Sequence, residues 1–376
     1  MRILILGSKE YPFGSGNSSD IISSGGIERY IENLVGELAK YPDLEILIIT
    51  RRFPGTPAFQ KIKNIKIYRV GWIKGFFFRN PTFNLNAFLL SLSLKFDLVF
   101  CVGVVASFFG VILSFLKRVP LVHHFAGIHH LESQYNYLVK RIIYTLEVLA
   151  YRFRGDMIFL SDENEKTFKF VMGFVPQRTH IIPTGIDVKY FSPPAMHQAE
   201  PPLRLITVGR LIEVKGIQDL LKALSILKDK IDFVCLIVGD GPYRGSLEKM
   251  AEGYSLKERV IFKGNVSPEQ VVNILREAHI YVLPSYSEGL PQSLLEAMAC
   301  GLPCIVTDIG LPIRHGDTGL LVSPSDAKAM ADAILRLSSA PSLMVTLGRN
   351  AREYAASNHS RQEWAEKIYQ ICKTIL

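Results

Sequence analysis

The sequence predicts an α/β protein of two doubly wound halves with a ligand cleft between them. Three observations carry that expectation. Short β-branched runs alternate with segments of helical period through both halves, the pattern of parallel strands wrapped by crossover helices. The alternation breaks at Phe191 to Leu203, "FSPPAMHQAEPPL", where four prolines and no periodicity mark a linker. At 376 residues, 48% of them apolar, the chain is long for one domain and able to bury two cores.

The first half, 1–192, opens with "RILILG", a buried strand, and a polar, glycine-rich loop up to Gly26. "IERYIENLVGELAK" follows with helical spacing in Ile27, Tyr30, Ile31, Leu34, Val35 and Leu38. "LEILIIT", "DLVFCVG", "PLVHHFAG" and "MIFLS" read as further strands. The second half, 203–359, repeats the scheme. "LRLITVG", "DFVCLIVGDG", "RVIFKG", "IYVLPS", "PCIVTD" and "GLLVSPSD" are strands, and "KGIQDLLKALSILKD", "YRGSLEKMAEGY", "SPEQVVNILREA" and "PQSLLEAMAC" are helices. The tail, 360–376, is an amphipathic helix.

Leu98 to Leu116 is uncharged for 19 residues, about the length of a membrane span. Asp97 ahead of a β-branched run and the glycines and serines within it favour a strand, a glycine turn and a buried helix instead. Met1 to Leu6 is too short for a signal-peptide core, so no leader is expected. The five cysteines show no metal-ligand spacing and read as buried thiols in a reducing cytosol.

Charge is uneven. Residues 1–192 hold 23 Lys and Arg against 15 Asp and Glu, which accounts for the whole net charge of +8. Ile46 to Phe96 contains no acid but nine bases: Arg51, Arg52, Lys61, Lys63, Lys66, Arg69, Lys74, Arg79 and Lys95. Phe53, Phe59, Tyr68, Trp72 and Gly75 to Phe78, "GFFF", interleave with them. Basic and aromatic residues together suit an anionic membrane surface. No nucleic-acid-binding module accompanies them, so nucleic acid is not an expected partner.

The most informative stretch is Ser285 to Gly301, "SYSEGLPQSLLEAMACG". A strand ends before it, and Pro291 and Gly301 bracket a helix. Two glutamates on a helix are ordinarily solvated surface. Here Glu288 falls in the strand-to-helix loop and Glu296 one and a half turns into an apolar helix. The N–H groups of Gly289, Leu290 and Gln292 and the helix dipole attract an anion. A second anion feature is "VGRLIEVKG", Val208 to Gly216. Its Arg210 and Lys215 lie beyond another strand, where a guanidinium and an ammonium together can hold a diphosphate. In doubly wound sheets ligands bind beyond the carboxyl ends of the strands.

The ordered motifs "VGRLIEVKG", "IVGDGP", "VIFKGNV", "YVLPSYSEGLPQSLLEAMACGLPCIVTD" and "GDTGLLVSPSD" resemble family 4 of the retaining glycosyltransferases. "GGIERY" and "IIPTGIDVKYF" extend the resemblance into the first half. It implies the GT-B fold: two Rossmann-like domains facing a central cleft, with the last helix, 360–376, crossing back to the first. It implies that Arg210 and Lys215 hold the diphosphate of a nucleotide-sugar donor. Glu288 would face the sugar, with the backbone of Gly289 and Leu290 at the phosphate. Glu296 would bind the ribose, and Gly26 would let the first domain approach the phosphate. No metal or other cofactor is expected.

One departure stands out. The family's acceptor-side histidine aligns with Ala126 in "PLVHHFAGIHH", so a neighbour, His124 or His129, would take its place as a catalytic residue. Taken with the cysteine usage and the basic, aromatic run, the expectation is a cytoplasmic enzyme, peripheral at the inner membrane face, that transfers a sugar from a UDP- or GDP-linked donor to a sugar or lipid-linked acceptor. A nucleotide-sugar epimerase and a non-catalytic nucleotide-sugar-binding protein are the competing readings. Donor turnover without acceptor would mark the first, and binding without transfer the second.

Overall fold

The structure is a computed structural model that describes residues 1–12, 26–73, 75, 78–131, 136–194 and 201–376. Most of the glycine-rich loop before Gly26, Phe76 and Phe77 of the aromatic run, and the centre of the proline linker lie outside the described residues. The chain divides into two units, 1–184 with 361–376, and 185–360. The division falls at Thr184, ahead of the proline run, because Ile186 and Phe191 bury their side chains in the second unit's core.

The first unit runs β1 (Arg2–Leu6), α1 (Gly26–Leu38), β2 (Glu45–Arg51), β3 (Phe59–Ile62), β4 (Ile65–Val70), α2 (Arg79–Ser91), β5 (Leu98–Val102), α3 (Val104–Lys117), β6 (Leu121–His124), α4 (Tyr137–Tyr151), β7 (Asp156–Phe159), α5 (Asp162–Met172) and β8 (Arg178–Ile181). Among the described residues its sheet has eight strands in the order β3-β4-β2-β1-β5-β6-β7-β8. All pairs are parallel except β3 with β4. The central strands read as continuous apolar runs because helices cover both faces. Ile3 and Ile5 face one core with Tyr30, Ile31 and Leu34 of α1, while Leu4 and Leu6 face the other with Phe83 and Leu113. Leu98 to Leu116 divides into β5, a turn at Gly103 and the greater part of α3. No helix among the described residues is long and apolar enough to cross a membrane.

The second unit runs β9 (Leu203–Val208), α6 (Ile217–Leu227), β10 (Phe233–Val238), α7 (Arg244–Gly253), β11 (Val260–Gly264), α8 (Pro268–Glu277), β12 (Ile280–Leu283), α9 (Gln292–Ala299), β13 (Cys304–Thr307), β14 (Gly319–Val322), α10 (Ala327–Ser338) and α11 (Pro341–Asn358). Its parallel sheet has the order β11-β10-β9-β12-β13-β14. Leu205, Val282 and Ile305 pack under α6 and α10, and Ile206, Leu283 and Val306 under α8, α9 and α11.

The terminal helix α12 (Arg361–Thr374) belongs to the first unit. Its Trp364, Ile368, Tyr369 and Cys372 enter the core beneath α1, and the Tyr369 hydroxyl donates to Asp43 Oδ2 at 2.6 Å. All five cysteines are buried free thiols.

Strand order locates where a ligand can enter each sheet. In the first unit the chain winds outward from β1 in one direction and from β5 in the other, so the reversal lies between them. The two backbones are crowded there. A Cβ on Gly7 would stand 2.0 Å from the Val102 carbonyl oxygen, and its φ of +102° already demands glycine. In the second unit the reversal lies between β9 and β12. The loops leaving those two strands carry Arg210 and Lys215 on one and Glu288 on the other.

Candidate active site

In the second unit the two loops dock onto each other. After β9 the chain makes a short 3-10 turn, Glu213–Lys215, and closes it at Gly216 with φ +65°. A Cβ at Gly216 would lie 1.9 Å from the carbonyl oxygen of Pro284, the residue after β12, so glycine is needed for both conformation and approach. The Tyr286 N–H donates to the Val214 carbonyl at 2.8 Å. The Tyr286 hydroxyl donates to Asp219 Oδ2 at 2.5 Å and accepts from Gln218 Nε2 at 2.8 Å, both at the start of α6. Burial and the Asp219 carboxylate hold the phenol above its usual pKa, so it remains a neutral donor.

That docking brings Lys215 to Glu288. Lys215 Nζ lies 2.6 Å from Glu288 Oε1, which also accepts from Ser285 Oγ at 2.7 Å. Thr307, at the end of β13, donates to the Ser285 carbonyl and braces the loop from the far side. The Glu288 side chain keeps 9% of its surface exposed and that of Lys215 23%, so the pair is largely shielded yet reachable. Arg210 is exposed, and its guanidinium has no hydrogen-bond or ion-pair partner among the described residues.

Pro291 is the N-cap of α9, one position outside the first turn expected for it. Gly289 is exposed and Leu290 half-buried, and among the described residues their N–H groups have no acceptor. Glu296 lies on the same helix and is only 2% exposed. Gln292, one turn before it, buries its Nε2 without a partner among the described residues. Tyr281 of β12 donates to Ser293 Oγ at 2.8 Å and ties the helix start to the sheet. Arg210, Lys215, Glu288, Gly289, Leu290 and Glu296 thus all belong to the two loops at the strand reversal and the helix that follows one of them. The latch of Tyr286, Asp219 and Gln218 was not legible in the sequence, because its partners are 67 or 68 residues apart and none belongs to a charged pattern.

In the first unit, Gly26, His124 and His129 all lie on the carboxyl side of the sheet. Gly26 begins α1, and a Cβ there would meet nothing described within 4 Å. One turn later Tyr30 packs against His124, ring centroids 3.9 Å apart. His124 ends β6 and is 4% exposed, and neither ring nitrogen has a partner among the described residues. Burial lowers its pKa to about 3, so it is neutral at physiological pH. His129 lies in the turn after β6 and is partly exposed. Its backbone N–H donates to Glu147 Oε1 at 2.8 Å, and the same buried carboxylate holds His130 Nδ1.

The basic run from Ile46 to Phe96 does not form one surface. Arg51 and Arg69 are buried; Arg51 lies between the rings of Trp72 and Phe83 and bonds Asn80 Oδ1 at 2.6 Å. Lys66 pairs with Glu45 at 2.7 Å. Charge in a sequence does not reveal direction, and here alternation along β2 and β4 turns two arginines inward.

Two family models match the chain: Glycosyltransferase Family 4 over residues 24–190 and Glycosyl transferases group 1 over 193–354. Together the two models span most of the chain, which is built of a family 4 glycosyltransferase domain followed by a group 1 glycosyltransferase domain. Its relatives fit this make-up. It is 35% identical over 174 residues to the N-acetyl-alpha-D-glucosaminyl L-malate synthase of Bacillus anthracis, covering 46% of this chain and 44% of that one. It is 26% identical over 294 residues to the UDP-Gal:alpha-D-GlcNAc-diphosphoundecaprenol alpha-1,3-galactosyltransferase of Escherichia coli, covering 74% and 75%. The chain spans about half the length of most of the curated relatives it matches. A sucrose-phosphate synthase from Thermosynechococcus elongatus superposes with a TM-score of 0.81 at 23% identity over 99% of this chain and 98% of that one. The fold is GT-B, made of two Rossmann-like units.

Proposed function

We propose that the protein is a retaining glycosyltransferase that moves a sugar from a UDP-linked donor to a hydroxyl of a lipid-linked glycan or polysaccharide precursor. The observation that carries this reading is the Lys215–Glu288 pair at the β9/β12 reversal, with Arg210, unpartnered among the described residues, on the same loop as Lys215. The bond to be broken joins a diphosphate to an anomeric carbon. A cation for the first and a carboxylate for the second stand 2.6 Å apart at one strand reversal. The E. coli relative takes UDP-galactose and a diphosphoundecaprenol acceptor, which supports the choice of base and acceptor class.

In this reading Arg210 and Lys215 bind the diphosphate and stabilise the charge it gains as the glycosidic C–O bond lengthens. They supply the positive charge that a metal supplies elsewhere, so no metal is invoked. The N–H groups of Gly289 and Leu290 add dipoles, and Glu296 receives the ribose hydroxyls. Glu288 faces the anomeric carbon, where positive charge develops as in other glycosyl transfers. The departing phosphate oxygen accepts the acceptor's proton while the acceptor oxygen attacks from the same face. The products are the nucleoside diphosphate and a glycoside of unchanged configuration. Of the two candidate histidines, His129 is the acceptor-side residue, since it reaches solvent and His124 does not.

The test is incubation of the purified protein with UDP-sugars, with and without a polyprenyl-diphosphate sugar acceptor, reading products by NMR of the anomeric proton. Transfer with retention supports the reading. An inverted product overturns it, and acceptor-independent conversion of the donor marks an epimerase.

A further inference from the structure

Helix α4 presents an outer face that an ordinary surface helix does not. Leu138 is 66% exposed, Ile142 53%, Leu149 41%, and Phe153, just past the helix end, 55%. At 100° per residue these four fall on one stripe with Arg141 and Arg152, about 120° wide. Glu147 projects from the opposite side and is buried against the turn at His129 and His130. The surface continues onto the end of α3, which packs beside α4. Phe115 and Leu116 are exposed there, and the Arg154 guanidinium lies 4.8 Å over the Phe115 ring. Between Leu98 and Arg154 the acids are Glu132, outside the described residues, and the buried Glu147.

We propose that this α4 face docks the protein on an anionic lipid bilayer. Leu138, Ile142, Leu149 and Phe153 would enter the boundary between headgroups and acyl chains, with Arg141 and Arg152 among the lipid phosphates. Chemistry selects this occupant over the others. A second copy joined about a two-fold axis would set Arg141 and Arg152 against their own counterparts with no carboxylate between them. Nucleic acid would need aromatic planes for stacking, and the stripe is mainly aliphatic. The surface lies on α3 and α4 rather than on the Ile46 to Phe96 run that the sequence suggested, whose helix α2 packs against α3. It deepens the proposed function by naming where a lipid-borne acceptor would be met.

The experiment is vesicle sedimentation of the full chain with phosphatidylcholine alone and with phosphatidylcholine plus phosphatidylglycerol. I142E and L149E are the test variants, and V345E on α11, an exposed valine of the second unit, is the control. All four proteins are compared for melting temperature and for the thermal shift given by UDP. The expected result is binding to the anionic vesicles only, weakened by salt, and lowered at least about tenfold by I142E and L149E but not by V345E. Unchanged melting and UDP shifts would then separate loss of docking from loss of the fold or of the donor site. Wild-type protein that ignores anionic vesicles overturns the proposal, as does undiminished binding by both test variants. Concentration-dependent self-association that I142E abolishes, without vesicle binding, would assign the face to a second copy instead. Failure of UDP to bind any of the four proteins, with vesicle binding intact, would count against the proposed function and leave the docking surface standing.

Discussion

Tyr286 and Asp219, 67 residues apart in the sequence, share a 2.5 Å hydrogen bond that holds the loop after β12 against the start of α6. Lys215 and Glu288 meet because of that latch. Tyr286→Phe removes a donor to Asp219 and an acceptor from Gln218 without touching either charged partner. The expected result is a kcat lowered about tenfold with little change in melting temperature, since hydrogen bonds of this kind contribute about 1 kcal/mol net. A kcat equal to wild type would show that the loops hold their geometry without the phenol.

Gly216→Ala tests the same docking through the backbone. The φ of +65° and the 1.9 Å approach to the Pro284 oxygen both oppose a Cβ. The variant should melt several degrees lower and lose donor binding together, because relief of the clash moves Lys215 away from Glu288. Gly26→Ala, where a Cβ meets nothing described, should leave melting unchanged.

Glu288→Gln separates binding from chemistry. The amide keeps the shape of the side chain and removes the charge that the proposed function sets opposite the anomeric carbon. Donor affinity should stay within a few-fold of wild type, while kcat for transfer falls on the order of a hundredfold or more. Equal losses in affinity and turnover would assign Glu288 to holding Lys215 alone.

The buried histidines set an acid limit on stability. Burial lowers His124 to about 3 and His123 to about 4 from the ordinary 6.5, the latter partly offset by the bond to the Arg154 carbonyl. Between those values and 6.5 the unfolded chain binds more protons than the native one. Stability therefore rises with pH through that window, is complete above about 6.5, and is lost as pH falls toward the native values. His124→Phe should flatten the dependence of melting temperature on pH below 6.5. An unchanged slope would show that the native ring takes up its proton freely.

The fold was legible where burial is two-sided. β1, β2, β5 and β9 are apolar runs because both faces are covered. β3 and β8 were not legible: they are the two edges of the first sheet, with no fully buried residue, and "FQKI" and "RTHI" carry no apolar pattern. In the site, Lys215 and Glu288 could be named from charge placed beside glycine at strand ends. Tyr286 and Asp219 could not, because their pairing exists only after β9 and β12 lie side by side. Nor does a sequence say which arginines turn inward, as Arg51 and Arg69 do.

The most direct test is calorimetric titration of UDP, with GDP and ADP alongside, into wild type, Arg210→Ala and Lys215→Ala in the presence of chelator. If the β9 loop holds the diphosphate, one nucleotide binds wild type without added metal, and each variant binds it at least about tenfold more weakly while uridine affinity is unchanged. Wild-type affinity for the preferred nucleotide in both variants would contradict the assignment and place the diphosphate elsewhere.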